Sequence, residues 1–212
     1  LTMRIAHRCL LLTLPLAACG TSDNQHTTMN HPLAVASTLP FQAPMFDKLK
    51  DTDYQPAIEA GMAVQLDEVK AIATNPEAPT FENTIVAMEK SGRQLSRATS
   101  IFFNLTSSAT NDALQAAKAD LMPKLSAHSD AINMNDGLFQ RVKVVYESRT
   151  GSGLDPVQQR LVERYYDRFV RAGALLDTKD KEQLKKLNEE EANLNTRFQD
   201  NILKARSAAA IV

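Results

Sequence analysis

From Phe81 to Phe102 the chain sets Phe81, Ile85, Met88, Gly92, Leu95, Thr99 and Phe102 in alternating steps of four and three. That period belongs to a helix, and a stripe mixing large and small side chains needs a second helix against it. Gly92 marks where the partner comes close. The same logic runs through the rest of the body. Pro56 suits a first helical turn, where its missing N–H costs nothing, and Ile58, Met62, Leu66, Val69 and Ile72 or Ala73 follow at helical steps until Asn75-Pro76. The residue before a proline is pushed out of the α region, so the helix stops there.

Further along, Asn111 to Asn133 reads as helix, with a kink or break expected at Pro123. Asn135-Asp136 restarts the chain with Leu138, Phe139, Val142 and Val145. Asp155-Pro156 gives a cap plus a first-turn proline ahead of Val157, Leu161, Tyr165 and Phe169. Thr178 opens a long charged helix with Leu184, Leu187, Leu194, Phe198 and Ile202, its stripe interrupted by Glu191. Glycine is scarce at 7 residues, and straight-chain residues dominate, which favours helix over strand. No strand-like alternation persists. The expected fold is all-α, an elongated bundle of about five to seven helices over residues 41–212.

The first 18 residues have another character. Arg4 and Arg8 precede the apolar run CLLLTLPL, and Ala17-Ala18 follow, the order of a secretory signal peptide. The run is far short of the roughly 20 residues that span a bilayer. Leu16-Ala17-Ala18-Cys19 resembles the bacterial lipobox, which implies acylation of Cys19 as the new first residue. A disulfide has little to work with, since the chain's other cysteine, Cys9, leaves with the signal. The plainer alternative is an ordinary signal with an incidental cysteine. Gly20 rather than Asp follows Cys19, so the expected location is the periplasm, lipid-anchored, at the outer membrane. Residues 19–40 then form a polar tether of roughly 25 Å r.m.s. reach. A net charge of −1, and fewer basic residues once the signal is gone, speak against nucleic-acid binding.

Few residues carry chemistry. The histidines are His7, His26, His31 and His128: one in the signal, two on the tether and one in the body. On a polar tether His26 and His31 read as solvated rather than metal-binding. His128 reads as a helix-packed, hydrogen-bonded histidine rather than a substrate contact. Glu191 reads as a residue at the helix edge or paired with a neighbouring cation, rather than a carboxylate facing a cleft.

The segments FQAPMFDKLKDTDYQPAIEAGM, PTFENTIVAMEKSGRQLSRA, LSAHSDAINMNDGLFQRV and LVERYYDRFVRAGALLD resemble, in that order, the N-terminal region of the thimet-oligopeptidase-like zinc metallopeptidases. The peptidyl-dipeptidase branch is the nearest in character, and the likeness runs from about Leu39 to Ala205. The resemblance implies a helical wall of a narrow channel that admits short peptides. It also implies one zinc, held by an H-E-x-x-H helix and a later glutamate, whose bound water attacks the peptide. That motif is absent from these 212 residues. No catalytic residue and no metal ligand is therefore assigned, and zinc is expected in the full-length enzyme but not on this chain. The expected partners are short peptides, a missing catalytic region, and the membrane through the lipid at Cys19 only. The apolar stretch KARSAAAIV after the last stripe suggests that the final helix packs on polypeptide lying beyond it. The rival expectation is a periplasmic lipoprotein adaptor that binds a protein partner through its helical stripes.

Overall fold

The computed structural model describes residues 32–209; Cys19, His26 and His31 lie outside the described residues. Three 3₁₀ turns, Pro40–Gln42, Phe46–Lys48 and Asp51–Asp53, lead into α1 (Tyr54–Ala73). A π-helical turn, Phe81–Val86, runs into the single-turn α2 (Ala87–Lys90). Then come α3 (Arg93–Ser108), α4 (Asp112–Asn133), α5 (Asp136–Ser148), α6 (Pro156–Arg171) and α7 (Thr178–Ala208). Six of these are long and one is short, and among the described residues there is no strand: the fold is all-α.

The helix starts follow local chemistry. Thr80 Oγ1 accepts from the Asn83 N–H at 3.1 Å while Asn83 Oδ1 accepts from the Thr80 N–H at 2.8 Å, a reciprocal cap. Asn111 and Asn135 accept from the amides of Leu114 and Leu138, both at 2.9 Å. Asp155 caps α6 in front of Pro156 and closes a second reciprocal box with Gln158. Each of these side chains satisfies amides that a helix start leaves without intrahelical partners.

Two apolar clusters share α1. Its first half places Tyr54, Ala57, Ile58 and Met62 with Leu95, Ala98 and Phe102 of α3 and Leu114 and Leu121 of α4. Its second half places Val69 and Ile72 with Ile85, Leu138, Phe139, Val142, Val145, Val162, Tyr165 and Phe169. Gly61 lets α1 and α3 meet: a Cβ there would lie 2.8 Å from the Leu95 Cα. Leu33 is fully buried in the first cluster, and Arg97 Nη1 donates to the Ala34 carbonyl at 3.0 Å, so this part of the expected tether packs on the body.

Several sequence expectations need correction. The stripe from Phe81 to Phe102 is not one helix, because the chain breaks at Ser91-Gly92, where Gly92 has φ +71. At Pro123, where a kink or a break was expected, there is no break: helix α4 continues from Asp112 to Asn133. Leu66 and Val157 are exposed, and the inward positions belong to Gln65 and Val162. The last helix departs furthest. It lies along α4 with a polar and small-residue face, where Asn188 Nδ2 donates to Asp130 Oδ1 at 2.8 Å and Ser126 Oγ donates to the Asn188 carbonyl at 3.3 Å, while Lys181, also buried, pairs with Asp136 of α5. Thr196 is buried on this side too, while Leu187, Leu194 and Phe198 point to solvent.

Candidate functional site

Where the two clusters meet along α1, the inward residue is polar. Gln65 occupies the step between Met62 and Val69. His128 of α4 donates Nε2–H to Gln65 Oε1 at 2.8 Å, and its Nδ1 is buried with no hydrogen-bond partner. Burial holds the imidazole below its ordinary pKa, because a low-polarity surrounding penalises the charged form. The ring is therefore neutral near pH 7, with an unused acceptor lone pair.

The break between α2 and α3 frames the same place. Gly92 takes a left-handed conformation that L side chains adopt at a cost. A Cβ on it would also fall 2.3 Å from Gln65 Nε2. Its N–H donates to Glu68 Oε2 of α1 at 2.7 Å, so a carboxylate one helix away satisfies the start of α3. Two hollows open here, of about 510 and 420 Å³, and both include Gln65 and Ser91 in their walls. The smaller is also lined by His128, Asn133 and Arg168.

Tyr165 closes one side. Its hydroxyl donates to Glu89 Oε1, and burial first, then the adjacent carboxylate, raises its pKa well above the usual phenol value. The Arg168 guanidinium carbon stands 5.0 Å from the centre of the Tyr165 ring. The arrangement offers an amide, hydroxyls, a neutral imidazole and one guanidinium: groups that hold a polar ligand rather than break a bond.

A separate polar lock fixes the scaffold around it. Arg141 of α5 is buried, and its Nη1 donates to the carbonyls of Asn75 and Glu77 at 2.8 and 2.9 Å. Its Nη2 donates to Asn83 Oδ1 at 2.9 Å, tying the loop after α1 and the π-helical turn to α5.

His128 is the histidine the sequence singled out in the body, and it is packed and hydrogen-bonded as expected. Glu191 is exposed on the outer face of α7, beside Leu187 and Leu194. Gln65, Glu68 and Arg168 were not anticipated. For Gln65 a signal existed, since it sits in step with Ile58, Met62, Val69 and Ile72, but a leucine at the next position draws the eye. Among the described residues no three His, Cys, Asp or Glu side chains converge to hold a metal ion. The described residues thus do not fit the zinc that the resemblance implies. No described helix is long and apolar enough to cross a membrane.

Comparison with known proteins agrees with the motifs quoted above: the chain matches the N-terminal part of thimet-oligopeptidase-like peptidases. Within that group it is 44% identical over 181 residues to the dipeptidyl carboxypeptidase of Salmonella typhimurium, covering 85% of this chain and 27% of that one. The dipeptidyl carboxypeptidase of Escherichia coli is likewise 44% identical, over 186 residues, 88% of this chain and 27% of that one. More distant is the organellar oligopeptidase A of Arabidopsis thaliana, 26% identical over 165 residues, 78% of this chain and 21% of that one. The chain thus spans about a quarter of the length of the two carboxypeptidases. No family model matches it.

Proposed function

We propose that this chain is the channel-wall part of a zinc-dependent peptidyl-dipeptidase that acts on short peptides, and that hydrolysis is carried out by polypeptide outside these 212 residues. The 44% identity to two dipeptidyl carboxypeptidases across 85–88% of the chain carries this reading. The absence of an H-E-x-x-H motif from the sequence supports the division of labour, because the family it resembles holds its zinc with two imidazoles one turn apart and takes the proton with the glutamate between them. The hollow at Gln65, His128 and Arg168 suits a part that contacts peptide without cutting it. Lipid on Cys19 anchors the protein, after removal of residues 1–18, at the outer membrane facing the periplasm, with the tether ending ahead of Leu33, which packs on the helical domain.

The test is a chromogenic tripeptide or tetrapeptide assayed with the purified chain and added zinc. No turnover is expected, and neither is a tightly held divalent ion. Cleavage by the chain alone overturns the division of labour. The anchor is tested separately, by labelling cells with a fatty acid: label on the wild type and none on Cys19→Ala supports it, while equal labelling rejects it.

A further inference from the structure

The smaller hollow beside His128, about 420 Å³, has its walls from separate helices: Gln65 and Val69 of α1, Met88 of α2, His128 and Ile132 of α4, and Arg168 of α6. Its chemistry divides in two. Val69, Met88 and Ile132 supply an apolar wall, while Gln65 and Arg168 supply donors. The Gln65 amide gives its Oε1 to His128, and its Nε2 has no acceptor among the described residues. Arg168 stands over the Tyr165 ring and forms no ion pair among the described residues. Glu89, the acid beside Tyr165, is taken by that tyrosine's hydroxyl. The neutral imidazole of His128, 8% exposed, adds no second cation. One guanidinium, one amide donor and an apolar wall suit a single planar anion attached to an apolar side chain. A doubly charged phosphate is the poorer match, since one guanidinium leaves part of its charge unpaired out of water.

We propose that this hollow captures the C-terminal end of a short peptide, with the carboxylate in the fork of Arg168 and the last, apolar side chain against Val69, Met88 and Ile132. Gln65 Nε2 donates to the last peptide carbonyl. The proposal rests on the functional reading above, which makes peptide the molecule that brings such a carboxylate. The volume agrees with it: sites for small molecules run from about 300 to 1,000 Å³, and this one, near the lower bound, takes a peptide end rather than a folded chain. Two ligands present the same carboxylate and side chain here, the end of a longer peptide and a free dipeptide.

The experiment follows the backbone amide signals of the isotope-labelled chain by NMR near neutral pH as peptide is added. The probes are the dipeptide Ala-Leu, its C-terminal amide, and the tetrapeptide Ala-Ala-Ala-Leu. Ala-Leu is expected to move the signals of Gln65, His128 and Arg168. It is also expected to bind at least about tenfold more tightly than its amide, the scale of one charge-assisted hydrogen bond. Arg168→Gln should weaken Ala-Leu by a similar factor with helix content unchanged. Arg171→Gln, exposed on the same helix and outside the hollow, should leave it unaltered. Equal affinity for acid and amide overturns the proposal, as does an Arg168→Gln chain that binds like the wild type. Shifts confined to residues elsewhere reject this seat and leave the functional reading in place. A tetrapeptide that binds as tightly as Ala-Leu supports capture of longer peptide ends, and one that binds far more weakly supports a free dipeptide as the occupant. The functional reading fails on a different readout: dipeptide released from the tetrapeptide by the chain alone rejects the division of labour and keeps the carboxylate seat.

Discussion

His128 shows how much one side chain decides. A neutral imidazole with one nitrogen on Gln65 and the other buried must take up its second proton away from water. Its folded pKa is lowered from 6.5, so between the two values the unfolded chain binds more protons than the folded one. Stability is therefore full above about pH 6.5 and is lost as pH falls toward and through the folded pKa. Asp130 acts with the opposite sign, since burial raises its pKa above 3.8 and folding gains as that carboxyl protonates. Glu59, held down by Lys124, loses its contribution only below about 4.5. Urea unfolding of wild type and His128→Gln from pH 8 to pH 5 should show a drop in the wild type that the variant lacks; parallel profiles would reject the assignment. The glycines give a sharper test. Gly92→Ala meets both a left-handed backbone and the Gln65 amide, and Gly61→Ala drives a methyl onto the Leu95 backbone. Each should cost about 1–3 kcal/mol in denaturant unfolding. Gly92 was legible as a place of close approach, but not as the end of a helix. A stripe at steps of four and three reads the same whether the helix runs through a glycine or stops and restarts there.

Among the elements, starts were legible and faces were not. Thr80 and the Asp155-Pro156 pair announce themselves because capping is a contest settled within three residues. Which side of a helix turns inward is settled by neighbours remote in sequence. Val162 rather than Val157 meets Val142 and Phe169 in the second cluster, and periodicity alone allows either. In α7 the leucine spacing was plain, yet the side that packs on α4 is the one bearing Asn188, and Lys181 pairs with Asp136 of α5. The π-helical turn, Phe81–Val86, was read from the sequence as ordinary α-helix. Its attachment is tested through Arg141. Replacing it with Met strips donors from the Asn75 and Glu77 carbonyls and from Asn83. A loss of about 2–4 kcal/mol is expected in urea unfolding, from three charge-assisted hydrogen bonds lost at partly buried acceptors. A change under 0.5 kcal/mol would mean the lock is ornamental.

At the scale of the molecule, the helical class followed from period and composition, while the division into two clusters did not. Most helices could be placed without learning that α1 serves one set of partners with its first half and another with its second. The join between them is polar, at Gln65 and His128, and a polar join transmits less packing energy than a continuous apolar one. Native-state hydrogen exchange should therefore sort amides into two groups, with α3 and the first half of α4 in one and α5 and α6 in the other. Gly61→Ala should speed exchange in the first group at least tenfold while moving the second less than threefold, and a uniform response would show one indivisible core. Strain applied at one end of such a body is spent before it reaches the other. The middle of α1, where Gln65 and Glu68 face Gly92, is where the two ends would swing.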